Sequence, residues 1–205
     1  RYKATEKEPL TIHGKDFDKN GLIDPIISHF VQGKEYIFHN RDELMIQIPA
    51  IKSRFDNFEK YAKASFQESF LKSELGDALT LKAECIESSF FENIGKGQFR
   101  RYSMPIEAQF APIYGIEVED LNNDGLLDII LAGNSYATEA STGRYDAMSG
   151  LVLLNQGKFI FQSLPSSKTH FEANQDVKAL VKMQVASQNV YLVANNNSNL
   201  QAFAI

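Results

Sequence analysis

The chain has 205 residues, of which 43% are apolar and 23% charged, enough for one or two compact domains with an ordinary hydrophobic core. Its formal net charge of -5 and pI near 5.4, with no cluster of Lys and Arg, argue against a nucleic-acid partner. The single cysteine, Cys85, excludes an intrachain disulfide framework. No run approaches the roughly 18 uninterrupted apolar residues of a membrane-spanning helix, so we expect no transmembrane segment.

The first motif along the chain is an acidic nonapeptide, DFDKNGLID, at residues 16–24. It lies between a strand-like segment at residues 10–13 and an apolar run at residues 25–31. Side-chain oxygens stand at positions 1, 3, 5 and 9, and the glycine at position 6 permits the sharp turn that a calcium loop needs. The predicted Ca²⁺ ligands are Asp16, Asp18, Asn20, the main-chain carbonyl of Leu22, and Asp24.

Residues 41–77 interrupt the strand pattern. Apolar side chains recur there at three- and four-residue steps with charges between them, which is typical of amphipathic helices. These apolar positions are Ile51, Phe55, Phe58, Ala62, Phe66 and Phe70. We expect a helical insertion in which Pro49 separates a short helix, starting near Asp42, from a longer one that stops at Gly76. The phenylalanine stripe is expected to pack on the strands, because exposed phenylalanines are unfavourable in water.

After the insertion, short strands alternate with glycine turns. Turn residues at 93–97 and 155–158 separate strand-like runs, which predicts a meander of antiparallel hairpins. Between these turns lies a second acidic nonapeptide, DLNNDGLLD, at residues 120–128, again with strand-like segments on both sides. Its predicted Ca²⁺ ligands are Asp120, Asn122, Asp124, the carbonyl of Leu126, and Asp128.

Two alternatives compete with a calcium loop between strands. An EF-hand needs a bidentate Glu at position 12 and a helix on each side. Position 12 is Ile27 in the first loop and Leu131 in the second, and both loops lead into strand-like runs, so the EF-hand is rejected. A metal-free turn is the second alternative, because Asp, Asn and Gly form turns on their own. Two copies with acids at matched positions favour calcium in a structural rather than a catalytic role.

The carboxyl-terminal segment predicts a third unit without a metal loop. Strand-like residues 179–185 and 190–194 flank a turn at residues 186–189 that contains no acids. The two acidic loops start 104 residues apart. Subtracting the helical insertion of roughly 40 residues leaves about 60, the length of a four-stranded propeller blade. The spacing therefore favours the blades of a β-propeller.

The two loops, with the lead-in Phe110-Ala111-Pro112 before the second, resemble the FG-GAP or VCBS repeats of β-propellers, whose blades carry a calcium loop of the form D-x-D-x-D/N-G-x-x-D. The first loop lacks a comparable lead-in. The helical insertion and the segment at residues 143–146 are similar to insertions in large bacterial proteins of the cartilage acidic protein group. The resemblance implies a mainly β fold, a partial propeller of about three blades with four-stranded antiparallel sheets, belonging to a larger ring of seven or so blades.

A second insertion, at residues 134–149, is rich in polar and aromatic residues and has no period, so we expect a long loop. Long loops often carry binding residues, and this one mixes aromatic faces with charge. The candidate ligand-binding residues are Tyr136, Glu139, Arg144, Tyr145 and Asp146. The alternative is that Arg144 and Tyr145 fix the loop to a neighbouring blade.

These features predict a calcium-binding β-propeller module that recognises a protein or carbohydrate outside the cytoplasm, in the periplasm, at the cell surface or as a secreted protein. No sequence motif of a phosphate loop, a zinc protease or a serine hydrolase is present, and we expect no enzymatic activity. Two alternatives remain open. One is a hydrolase or lyase acting on polysaccharide, which would need clustered carboxylates outside the two loops. The other is a purely structural assembly unit.

Overall fold

A computed structural model describes residues 2–139 and 142–205 of the chain. Arg1, and Ala140 and Ser141 of the predicted 134–149 loop, lie outside the described residues. The fold is mainly β, and its sheets are antiparallel, as predicted. The chain divides into two compact units, Arg1–Ile86 and Glu87–Ile205.

The first unit contains one four-stranded sheet and a group of short helices. The strands are β1 (Leu10–Lys15), β2 (Asp24–Val31), β3 (Lys34–Ile37) and β4 (Leu79–Ala83). Their order in the sheet is β3-β2-β1-β4. The first three strands form a meander, whereas β4 follows the helices and returns to pair with β1. The first acidic loop connects β1 to β2.

The helices of the first unit lie between β3 and β4. They are α1 (Arg41–Gln47), a 3₁₀ helix (Pro49–Ser53), α2 (Phe58–Lys63), α3 (Phe66–Ser69) and α4 (Lys72–Leu75). The prediction of one long helix after Pro49 is therefore wrong, because several short helices take its place. Asn57 and Ser65 accept backbone N–H bonds from residues three positions later and so start new helices. Gly76 follows the last helix, with right-handed rather than left-handed backbone angles.

One apolar cluster joins these helices to the sheet of the first unit. Its buried members are Ile26, Leu44, Ile48, Ile51, Phe55, Phe66 and Phe70. Ile26 belongs to β2, so most of the phenylalanine stripe packs on a strand. Phe58 is the exception, because it is 61% exposed; the guanidinium of Arg41 lies 4.9 Å from its ring centre.

The described residues of the second unit form three sheets. Its strands are β5 (Ser89–Gly95), β6 (Gln98–Ser103), β7 (Ile113–Glu119), β8 (Asp128–Gly133), β9 (Leu151–Asn155), β10 (Phe161–Leu164), β11 (Val177–Val185), β12 (Gln188–Asn195) and β13 (Gln201–Phe203). A 3₁₀ helix (Ile106–Gln109) precedes β7, and α5 (Ser166–Thr169) follows β10. The hairpins predicted around residues 93–97 and 155–158 are both present, but the first turn is confined to Lys96 and Gly97, and Asn155 ends β9. The second turn extends to Phe159, whose φ of 60° keeps it out of β10.

Strands β7 to β10 form a consecutive four-stranded meander, β11 to β13 form a three-stranded one, and β5 pairs only with β6. The second acidic loop connects β7 to β8. The four-stranded and three-stranded sheets share a core that includes Ile130, Val152, Leu180 and Tyr191. Close packing requires glycine at position 115, because a Cβ there would lie 2.3 Å from the Cβ of Leu180.

The helices of the described residues are short, and none has the length and apolar character required to cross a membrane.

Candidate functional site

The first acidic loop folds around the carboxylate of Asp16. Its Oδ1 accepts the backbone N–H of Asn20 at 3.0 Å, and its Oδ2 accepts that of Gly21 at 2.8 Å. The Oδ1 of Asp18 accepts the same Asn20 N–H at 3.1 Å. The Oδ1 of Asn20 in turn accepts the N–H of Leu22 at 2.8 Å. The first three predicted side-chain ligands therefore all turn toward the inside of one loop.

The second acidic loop repeats these hydrogen bonds at matched positions. The two oxygens of Asp120 accept the N–H groups of Asp124 and Gly125 at 3.0 and 2.9 Å. Asn122 Oδ1 accepts the Asp124 N–H at 3.1 Å, and Asp124 Oδ1 accepts the Leu126 N–H at 2.8 Å. The two nonapeptides thus adopt one conformation twice.

Backbone angles show the same repetition. The fourth residues, Lys19 and Asn123, have φ values of 62° and 59°, and the turn glycines, Gly21 and Gly125, have φ values of 90° and 83°. Glycine adopts such angles at no steric cost, which explains its place at position 6 in both loops.

The ninth residue of each loop is a buried carboxylate. Asp24 is 6% exposed and Asp128 is fully buried. Each accepts the N–H of the second loop residue at 2.9 Å, Phe17 in the first loop and Leu121 in the second. These bonds close each loop at its base. Burying a carboxylate is costly unless hydrogen bonds or a cation compensate its charge.

The loops differ in how their acids converge. Ligand atoms of Asp16, Asp18 and Asp24 all lie within 4.8 Å of one another, close enough to bind one ion. Within residues 2–139 and 142–205 no second set of three acidic, histidine or cysteine side chains converges in this way. In the second loop an amide replaces the middle carboxylate, and Asn122 Nδ2 donates to Asp124 Oδ2 at 2.9 Å. That bond occupies an oxygen that a cation would use.

The donor set of both loops suits a hard cation. All donors are carboxylate, amide or carbonyl oxygens, which Ca²⁺ prefers, and neither thiol nor imidazole takes part. Leu22 and Leu126 occupy equivalent places after the turn glycines, so their carbonyl groups stay candidate ligands in both loops. The side chains present therefore fit a calcium ion, the first loop more fully than the second.

The predicted recognition loop is fixed at its base. Ser135 and Tyr145 exchange two backbone hydrogen bonds of 2.8 and 2.9 Å. The buried side chain of Asn134 donates to the carbonyl of Met148 at 2.7 Å and accepts the N–H of the same residue at 3.0 Å. The side chain of Asn134 therefore ties the two ends of this loop together.

Inside this loop, Tyr136 is half-buried and its hydroxyl donates to the carbonyl of Asn174 at 3.1 Å. The guanidinium of Arg144 lies 4.6 Å from the centre of the Tyr136 ring, in cation–π geometry. The exposed candidates are Glu139, Arg144, Tyr145 and Asp146. The structure thus brings Tyr136 and Arg144 together as a platform and presents the other three to solvent.

Sequence reasoning missed a polar cluster next to the second acidic loop. Glu119, the last residue of β7, accepts hydrogen bonds from Lys182 Nζ and Asn189 Nδ2, each at 2.7 Å, and from the hydroxyl of Tyr191. Burial alone would raise the pKa of Glu119, but the bonds from Lys182 and Tyr191 lower it. Burial and the neighbouring carboxylate raise the pKa of Tyr191. Alternation along β7 predicts a solvent-facing Glu119, and only the neighbouring sheet shows otherwise.

The sequence likewise predicts only a turn role for Asn155. Its N–H donates to Asp128 Oδ1 at 2.8 Å and its side chain donates to the Leu127 carbonyl at 3.1 Å. It therefore attaches the second acidic loop to β9, a role that no local sequence signal indicates.

Comparisons of the chain with protein-family models, with curated proteins and with solved structures found no match.

Proposed function

We propose that this chain is a calcium-binding module in which Ca²⁺ stabilises loops between the strands of β-propeller blades. The observation that carries the proposal is the convergence of Asp16, Asp18 and Asp24 within 4.8 Å. Three carboxylates at that separation repel one another, and a divalent cation would convert the repulsion into attraction. The matched hydrogen bonds of the second loop support a second site, which the amide at Asn122 makes weaker.

The propeller part of the proposal draws on the sheets of the second unit. A consecutive four-stranded meander packs face to face with a second meander, and a calcium-type loop connects its first two strands. This arrangement is what successive blades would present. The order β3-β2-β1-β4 in the first unit departs from a simple blade, because the helices intervene before β4.

The recognition role is assigned to the 134–149 loop. Arg144, Tyr145 and Asp146 are exposed next to the hydrogen-bonded base of the loop, and residues already held in place lose little conformational entropy on binding. Tyrosine and arginine are also the residue types that most often dominate binding energy. Their exposure favours recognition over a purely structural role. The proposed partner is a protein or carbohydrate, and an extracytoplasmic location follows from the family resemblance.

Calorimetric titration of the chelator-treated chain with Ca²⁺ tests the metal part of the proposal. We expect two sites, the first-loop site being tighter. At free calcium about 100-fold above the dissociation constant, each occupied site adds about 2.7 kcal/mol of stability, so the melting temperature rises. Magnesium is the matched control, because it demands a smaller octahedral site and should bind more weakly. The proposal would be overturned if titration with Ca²⁺ released or absorbed no heat and the melting temperature did not change.

A further inference from the structure

The second unit contains a cavity of about 630 Å³ on the face of the β7–β10 sheet that is turned away from β11 to β13. Ile129 and Leu131 form its floor, Phe90 of the β5–β6 hairpin forms one wall, and Leu126 and Leu127 of the second acidic loop form part of its rim. Protein interiors rarely leave voids larger than a few water molecules, whereas ligand sites commonly span 300–1,000 Å³. The volume is therefore that of a binding site rather than of a packing defect.

The lining excludes charged and strongly polar ligands. Among the residues that the structure describes, no charged side chain lines the cavity, and its polar members are Ser88, Ser89 and Asn155. Asn155 already donates to the Leu127 carbonyl and accepts the N–H of Gly157. The hydroxyl of Ser89 donates to the carbonyl of Glu87. A sugar or an ion entering here would lose more hydrogen bonds to water than Ser88, whose backbone groups bond to Gln109, and its neighbours can replace.

The apolar surface of the cavity is open to solvent. Ile116, Val118 and Leu127 are 60%, 51% and 59% exposed although they belong to its lining. Elsewhere in the lining Phe90 stacks on Phe159 with ring centres 5.0 Å apart, which makes one end of the cavity aromatic. A hydrocarbon chain can rest on this aromatic end and cover the exposed aliphatic side chains.

We propose that this cavity binds a neutral, hydrocarbon-rich molecule of the fatty-alcohol or acyl-chain class. The inference concerns a ligand other than calcium and a surface other than the 134–149 loop, although the second acidic loop supplies part of the rim. The absence of charge from the lining and the engaged polar groups select such a ligand over a charged lipid headgroup or a glycan.

Titration of the full chain with the neutral dye Nile red, followed by displacement with 1-decanol, tests the proposal. We expect saturable dye fluorescence with one site per chain and competitive displacement. Val118→Trp fills the cavity and should weaken dye binding by at least about tenfold. Val181→Trp is the matched control, since Val181 is also a half-exposed strand valine, at 54%, but lies outside the cavity lining. It should leave binding unchanged.

Three results would overturn the proposal: fluorescence that does not saturate, equal loss of binding in the two tryptophan variants, or displacement that fails with 1-decanol. Sedimentation of the dye-free chain adds a separate check. A dimer that Val118→Trp dissociates and Val181→Trp does not would show that a second copy, rather than a small molecule, covers this face. Circular dichroism of both variants confirms that each is folded before its binding is compared.

Discussion

The buried carboxylate of Asp128 accepts the backbone N–H of Asn155 at 2.8 Å, so the last residue of the second acidic loop is bonded to the end of β9. Its other oxygen accepts the N–H of Leu121. Asp128→Ala would leave both donors without a partner in the folded chain, and we expect a loss of about 3 kcal/mol in the free energy of unfolding. Urea unfolding measures this loss.

Two comparisons separate this bonding role from metal binding. The loss in Asp128→Ala should persist after chelation, because the two N–H bonds do not require an ion. Asp128→Asn keeps one acceptor oxygen and should lose roughly half as much. A loss that appears only in the presence of calcium would mean that Asp128 acts solely as a metal ligand.

The independence of the two metal loops can be tested at Asp124, an exposed residue at position 5 of the second loop. Asp124→Ala removes one carboxylate and should lower calcium affinity at that loop by about tenfold or more, while the first loop keeps its affinity. Calorimetry resolves the two sites. Glu6→Ala, which removes one exposed charge elsewhere, is the control for general electrostatics. Equal weakening at both loops would contradict independent sites.

Local sequence patterns predict the loops and hairpins well because their geometry is encoded by a few neighbouring residues. The positive φ at Gly21 and Gly125 and the hydrogen bonds of Asp16 and Asp120 all arise within nine residues. The helical insertion was predicted less well. Its apolar period continues through Asn57 and Ser65, yet each of these side chains starts a new short helix by capping a backbone N–H group.

Contacts between segments distant in sequence could not be predicted. The pairing of β4 with β1 spans the helical insertion, and nothing in either strand identifies the other as its partner. Glu119 and Asn155 acquire their partners only when sheets and loops pack together. The apolar cavity has the same origin, because its walls come from β5, from β7 to β8 and from the turn before β10.

Gly115 tests the packing between the two larger sheets of the second unit. A methyl group at this position would also meet the backbone nitrogen of Leu180 at 2.8 Å, so the sheets must separate. We expect Gly115→Ala to cost about 3 kcal/mol or more of unfolding free energy. Chemical denaturation gives the value, and near-ultraviolet circular dichroism reports the loss of packing around Tyr191.

Gly14→Ala provides a matched control in a strand of the first unit. A Cβ at Gly14 would meet its nearest neighbour, the Cγ2 of Ile23, at an ordinary contact distance of 3.6 Å. The variant should therefore stay within about 0.5 kcal/mol of the parent. If the two alanine variants were equally stable, the sheets that contain Gly115 and Leu180 could not approach each other as closely as described.

Asn134 determines whether the recognition loop keeps its shape. Its amide donates to the carbonyls of Met148 and Gln175, and its φ of 83° is unfavourable for most residues. Asn134→Ala removes these bonds and adds backbone strain, so we expect a loss of about 3 kcal/mol. Asn134→Gly relieves the strain and should lose less. Hydrogen exchange at Ser135 and Tyr145, whose N–H groups pair across the loop, should accelerate in both variants.

The stability of the first unit should depend on pH through His13. This side chain is buried on β1, stacks on Phe66 with ring centres 4.6 Å apart, and shares a hydrogen bond of 3.2 Å with Thr80. Burial lowers the pKa of His13; Glu35 opposes this shift and Lys82 adds to it. Below the ordinary pKa of 6.5 the unfolded chain binds a proton that folded His13 does not, so stability falls as the pH drops.

The matching variant is His13→Phe, which keeps an aromatic ring against Phe66 and cannot be protonated. Melting temperatures at about pH 7.5 and about pH 5.5 should differ more in the parent chain than in the variant. The difference isolates His13, because Glu35 and Lys82 are present in both proteins and Phe66 has no charge. An identical decrease in the two chains would place the pH dependence elsewhere, and a parent chain that becomes more stable in acid would reverse the expected sign.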